Sequence, residues 1–119
     1  MPHADDQVYL SKDQWTTPPR PQTMLDTSEL GGVEIVGRRL LVSVWIDDEG
    51  VVSRVEVVPY ELDPAIAKLL ESMVGRVRFA PASLEGRSVR ALASSRLCFD
   101  DHGQLDTTSK GCWDFDHLR

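Results

Sequence analysis

No stretch of this chain approaches the ~18–20 consecutive apolar residues that a bilayer-spanning helix needs. It does not open with a charged-then-apolar leader followed by a small-residue cleavage site, and residues 1–6 read as an unstructured leader. Two readings stand: a cytosolic protein, or a domain parted from a signal or membrane anchor. Basic residues are few, 13 Lys and Arg against 19 Asp and Glu, for a net charge of −6. That balance argues against nucleic acid, whose phosphates need clustered Lys and Arg, and against docking on anionic lipid. His3, His102 and His117 are dispersed, and with two cysteines they form no metal spacing. There is no G-x-S-x-G elbow, and Gly31-Gly32 is not a phosphate loop. No catalytic constellation and no cofactor is therefore expected. The acidic runs Asp5-Asp6, Asp47-Asp48-Glu49 and Asp100-Asp101 read as a solubilising surface.

What is present is enough for one small domain: 119 residues, 41% of them hydrophobic. The chain divides into an extended Pro-rich arm (residues 1–36), a domain proper (37–99) and a tail (100–119). In the arm, Trp15-Thr16-Thr17-Pro18-Pro19-Arg20-Pro21 favours polyproline-like backbone, because proline fixes φ and donates no hydrogen bond. Tyr9, Leu10 and Trp15 are the side chains expected to pin it. A turn of helix is expected within residues 25–32, stopped by Gly31-Gly32.

In residues 39–47, Leu40, Val42, Val44 and Ile46 alternate with Leu41, Ser43 and Trp45, which predicts a strand. Apolar residues on both faces make it a central one. Asp47-Asp48-Glu49-Gly50 is a turn, and residues 51–58 return as the second strand of a hairpin. Asp63 is a good N-cap and Pro64 suits the first helical position. Ile66, Leu69, Leu70, Met73 and Val74 form one apolar stripe, and Gly75 marks the end of the helix. That helix is expected on one face of the hairpin. Phe79 is expected to plug the sheet–helix interface, Pro81 to stop regular pairing, and residues 83–87 to form a polar turn. Residues 88–99 then predict a third strand beside the first. The expected fold is α+β: a ββαβ unit with a three-stranded antiparallel sheet in the order two-one-three, the third strand at the edge. Trp45 is expected to lie under Trp15 or the proline segment.

Several segments resemble the C-terminal domain of TonB and related energy-transducer proteins. They are Gly37-Arg38-Arg39, Val44-Trp45-Ile46-Asp47-Asp48-Glu49-Gly50-Val51-Val52, Val55-Glu56-Val57-Val58, Arg78-Phe79-Ala80-Pro81-Ala82 and Gly86-Arg87-Ser88-Val89. Pro18-Pro19-Arg20-Pro21 is similar to the segment before the domain in a short proteobacterial branch. The resemblance spans residues 9–99, about three-quarters of the chain. It implies a periplasmic module, tethered by an upstream anchor to an inner-membrane motor complex. Such a module captures the TonB-box peptide of an outer-membrane transporter as an added strand. The docking strand implied here is Val89, Arg90, Ala91, Leu92, Ala93, Ser94, Ser95, Arg96 and Leu97. Arg90 and Arg96 are placed either to meet acidic residues of a partner or to keep the edge solvated. The other function class is a structural or assembly domain of the envelope, its edge covered by its own tail or paired with a second copy as a homodimer.

The tail departs from the family pattern. Cys98 and Cys112 are the only cysteines. In a reducing cytosol they are unrelated thiols, whereas the periplasm allows a bridge. The tail can supply a short fourth strand at residues 112–115. If it returns as a hairpin, Cys98 and Cys112 face each other, closing a loop worth ~2–4 kcal/mol.

Overall fold

Leu40, Val42, Val44 and Ile46 point the same way from one strand and are all fully buried, which makes this row the floor of the core. The structure, a computed structural model, describes residues 8–11, 13–26, 37–58 and 63–115. In chain order its elements are β1 (Arg20–Pro21), β2 (Arg39–Ile46), β3 (Val52–Val58), α1 (Pro64–Gly75), β4 (Phe79–Ala80), β5 (Ala82–Leu84), β6 (Arg87–Val89), β7 (Ala91–Phe99) and β8 (Leu105–Asp106). The fold is α+β, with one helix among the described residues and antiparallel sheets. The main sheet has the order β3-β2-β7-β8. Its three long strands follow the expected order, and a short strand from the tail lies outside them.

One turn design closes both hairpins of this sheet. Asp47 Oδ1 accepts from the Glu49 and Val51 N–H groups at 2.8 and 2.9 Å, and Gly50 N–H donates to the Asp47 carbonyl. Asp100 Oδ1 accepts from the His102 and Gln104 N–H groups at 2.8 and 2.9 Å, and Gly103 N–H donates to the Asp100 carbonyl. Each aspartate replaces backbone acceptors that the turn lacks, and each glycine supplies the positive φ. Gly50 has a further constraint. A Cβ there would fall 1.9 Å from the Phe79 carbonyl oxygen.

The helix begins as the residues predict: the Asp63 carboxylate accepts from Ala65 N–H at 2.8 Å, and Pro64 takes the first position. Leu70, Met73 and Val74 are buried, and Ile66 and Ala67 pack against the core. Leu69, expected on the stripe, is half-buried and stands outside that cluster. Gly75 is the last helical residue but not a left-handed stop, because Arg76 N–H closes back on the Ser72 and Val74 carbonyls. The helix packs chiefly on β3. Beyond it the core is completed by Phe79, Trp113 and Phe115. Phe79 and Phe115 meet edge-to-face at 5.4 Å, and Trp113 and Phe115 at 5.1 Å. Such pairs are worth about 0.5–1.5 kcal/mol each beyond the area they bury.

The segment after the helix corrects the sequence reading. Pro81 is itself unpaired and ends β4, as expected, but pairing resumes at once with a different partner: β4 pairs with β1, and β5 with β6. Residues 83–87 are not all turn. Only Glu85 and Gly86 lie between β5 and β6, both at positive φ (51° and 81°), as a tight two-residue hairpin requires. The third strand does not run unbroken over residues 88–99, because Ser88 and Val89 belong to that hairpin and the sheet strand starts at Ala91.

The described residues of the arm are attached to the domain. Leu10 bridges to Ala91, Thr17 to Ser83, and Arg20 and Pro21 to Ala80 and Phe79. Pro19 is buried, and the Tyr9 hydroxyl meets Ser53 Oγ at 3.1 Å. Trp15 packs against the core cluster. The cover over Trp45 is Arg54, whose guanidinium carbon lies 4.7 Å from the ring centre. The helical turn expected within residues 25–32 falls, apart from Leu25 and Asp26, outside the described residues.

Candidate functional site

The site to be tested is an edge of backbone, so the direction of each N–H and C=O decides what it can do. Phe99 N–H donates to the Arg38 carbonyl at 2.8 Å, which fixes the phase of the β2–β7 ladder. Antiparallel strands alternate inward- and outward-facing groups. Ala91, Ala93, Ser95 and Leu97 therefore bond toward β2, and Leu92, Ser94 and Arg96 present their groups to the outer edge. Of the nine residues implied as a docking strand, Val89 lies in β6, Arg90 lies between strands, and the other seven lie in β7.

The outer edge of β7 is covered at both ends. Leu10 N–H donates to the Arg90 carbonyl, and Leu92 N–H donates to the Leu10 carbonyl, both at 2.9 Å. At the other end Cys98 and Phe99 pair with Asp106 and Leu105 of β8. Trp113 N–H then donates to the Arg96 carbonyl at 2.7 Å. Between these contacts, the Leu92 carbonyl, both backbone groups of Ser94 and the Arg96 N–H meet no backbone partner among the described residues. The Ser94 hydroxyl is 3.1 Å from that of Ser43, on the sheet face away from the core.

The tail is a clasp around this edge. Cys98 points to the face opposite Leu97 and Phe99, and there it is bridged to Cys112 with Cα atoms 5.6 Å apart. The chain then crosses the edge at Trp113, whose φ of 53° is unusual for a bulky residue. It arrives on the core side, where Asp114 N–H donates to Ser95 Oγ at 2.7 Å and Ser95 donates back to the Asp114 carbonyl at 3.3 Å. Ser95 is fully buried and would be costly there without these partners. The expected strand at residues 112–115 is therefore corrected. The tail strand is Leu105–Asp106, opposite Cys98 and Phe99, and the cysteines meet only after a further loop.

That loop is organised by carboxylates. The Ser109 hydroxyl, and then the Thr108 and Ser109 N–H groups, hold Asp106 well below the ordinary carboxylate range. Asp100 is lowered by the Gln104 N–H and then by that of His102. A cleft of about 540 Å³ opens between this loop and the arm, flanked by Pro19, Arg20, Pro21, Lys110 and Trp113.

No described strand pairs with the opposite edge of the sheet. The same alternation directs the groups of Arg54, Glu56 and Val58 toward β2, leaving those of Val55 and Val57 outward. They have no backbone partner among the described residues. Sequence reasoning offered the tail as a cover of the β7 edge; it missed the second cover, Leu10, and did not weigh the β3 edge. The repeated Asp-Asp-x-Gly pattern at Asp47 and Asp100 was the available signal for the tail hairpin. Nothing in the arm announced that Leu10 would reach β7.

No three His, Cys, Asp or Glu side chains converge on a common point among the described residues. No helix of the described residues is long and apolar enough to cross a membrane. Comparison of the chain with family models, curated proteins and solved structures found no match.

Proposed function

We propose that this chain is a non-catalytic protein-binding module of the periplasm, which captures an extended segment of another protein by strand addition. The observation that carries this reading is the backbone at Ser94, at the centre of the outer edge of β7, which meets no backbone partner among the described residues. The Cys98–Cys112 bridge supports an oxidising compartment. By its resemblance to the TonB C-terminal domain, the partner is the TonB box of an outer-membrane transporter, with an upstream anchor linking to the inner-membrane motor. A peptide seated along the whole strand must displace β8 and Trp113, so the tail is a cover and the disulfide its latch. The coverage at both ends favours a second reading, an assembly domain of the envelope that keeps the fold without capturing peptide.

One titration separates these readings: a TonB-box peptide against the oxidised and the reduced chain. Tighter binding after reduction supports capture behind a latched tail. Equal affinities remove the latch. No binding in either state removes peptide capture and leaves the assembly reading.

A further inference from the structure

The outer edge of β3 is the longest unpaired strand edge among the described residues, and its charges are self-complementary. Val55 and Val57 present their N–H and C=O groups outward. Arg54 and Glu56 flank Val55 on the sheet face away from α1, both reaching solvent and paired with each other along the strand. When two copies of such a strand meet antiparallel about a two-fold axis, the charges discriminate between registers. With Val55 of one copy opposite Val55 of the other, Arg54 of each lies directly across from Glu56 of the other. These fall at the non-hydrogen-bonded positions, where opposed side chains are closest. A shift of one residue in the centre of symmetry puts Glu56 opposite Glu56, a repulsive arrangement.

We propose that this edge is a homodimer interface, in which β3 of two copies pairs antiparallel about Val55 to give one continuous eight-stranded sheet. The occupant is a second copy of this chain because the alternating Arg54 and Glu56 complement their own reversed sequence, the condition a two-fold interface imposes. The Val55 pair exchanges two backbone hydrogen bonds. Val57 of each copy lies opposite Ser53 of the other, on the side where a groove of about 310 Å³ separates β3 from α1. Charges and the bulge near Ser53 are also devices that deter edge pairing. Here they act selectively, excluding registers and partners that do not present Glu opposite Arg. The inference is independent of peptide capture at β7, which lies on the far side of β2.

The test is sedimentation of the full oxidised chain from micromolar to millimolar concentration, with amide exchange at Val55 and Val57. The expected result is a concentration-dependent dimer in which both amides become protected. E56R should weaken dimerisation about tenfold or more, by setting Arg against Arg at two positions. The charge swap R54E/E56R, which recreates two opposite-charge pairs, should restore it. V55P removes the central outward N–H without touching a bond to β2 and should give a monomer. Because Val55 packs against the core, that monomer should melt below the dilute wild type, and its sedimentation is read at a temperature where it is folded. A wild-type monomer at every concentration overturns the proposal. So does a dimer that survives V55P, or a charge swap that fails to restore association.

Discussion

Reducing the Cys98–Cys112 bridge should cost about 3 kcal/mol of stability without unfolding the domain. The cysteines are 14 positions apart, so the bridge closes a loop of 15 residues. Constraining a loop of that length in the unfolded chain is worth roughly 3 kcal/mol on the chain-entropy model. The folded tail has other attachments: the β7–β8 pairing, the Trp113–Arg96 hydrogen bond, the reciprocal bonds of Ser95 and Asp114, and the ring contacts of Phe79, Trp113 and Phe115. None of these requires the S–S bond. A domain of this size commonly has about 5–15 kcal/mol of stability, so the reduced chain should remain folded at 25 °C. Urea titration of the oxidised and reduced chain gives the difference directly, with C98A/C112A as a check that thiol chemistry is not responsible. Amide exchange at Asp106 and Trp113 reports whether the tail stays docked. A loss below about 1 kcal/mol would mean the unfolded loop is already restricted. Complete unfolding on reduction would mean that the bridge holds the native tail in place. Either result refutes the reasoning.

Four other perturbations have definite outcomes. Gly50→Ala should destabilise by about 2–4 kcal/mol, from a left-handed L-residue and the lost Phe79-to-Gly50 hydrogen bond, because the new Cβ meets the Phe79 carbonyl. Gly86→Ala has a similar φ but open space around it, so urea midpoints should show a smaller loss of about 1–2 kcal/mol; equal losses would discount the Phe79 contact. Ser95→Ala should cost about 1–3 kcal/mol by unpairing the Asp114 backbone, with the Asp114 amide exchanging faster than in the wild type. Asp100 and Asp106 have folded pKa values below the ordinary 3.8, so their stabilisation is complete above that value and is lost as pH falls through the lowered ones. Amide shifts of Thr108 and Ser109, and of Gln104, should therefore hold steady down to about pH 4 and move only below it. Movement already at pH 5 to 6 would contradict the hydrogen bonding seen here.

The parts legible from sequence are those with a repeated local signal. Leu40, Val42, Val44 and Ile46 alternate over a whole strand, Asp47 to Gly50 closes it, and Asp63-Pro64 opens a helix whose buried face recurs at three- and four-residue steps. The parts missed are short or non-local. Residues 82–89 offer only three residues per strand, too few for periodicity to appear. Glu85-Gly86 lacks the asparagine or aspartate that usually announces a tight hairpin turn. Leu105–Asp106 is two residues long and owes its strand conformation to the Asp100 turn. Trp45 was misassigned for a related reason. Its cover is Arg54, directly opposite in the hairpin register, whereas Trp15 is carried to the core by an arm whose path the proline spacing leaves open.

The two edges of the sheet are controlled by different physics, and this limits which can serve an outside partner. The β7 edge is blocked by the chain itself: Leu10 at one end, β8 and Trp113 at the other, the second clasp closed covalently. Opening it requires breaking several hydrogen bonds and separating Trp113 and Phe115 from Phe79, so any partner there must replace those contacts or wait for the bridge to be reduced. The β3 edge is guarded by charge and by the bulge near Ser53, with no chain segment among the described residues paired to it. The Arg54–Glu56 pair costs little to rearrange, because it is largely exposed and such an ion pair is worth at most about 1 kcal/mol, and Arg54 can keep its place over Trp45. A partner with the matching alternation displaces no paired strand among the described residues at β3, whereas at β7 even a well-matched strand must first displace the tail. Association through β3 should therefore be fast and reversible, and peptide entry at β7 slow and redox-dependent. A stopped-flow comparison of the two processes in the same oxidised sample would expose an inverted order, which this arrangement of arm, tail and charges cannot accommodate.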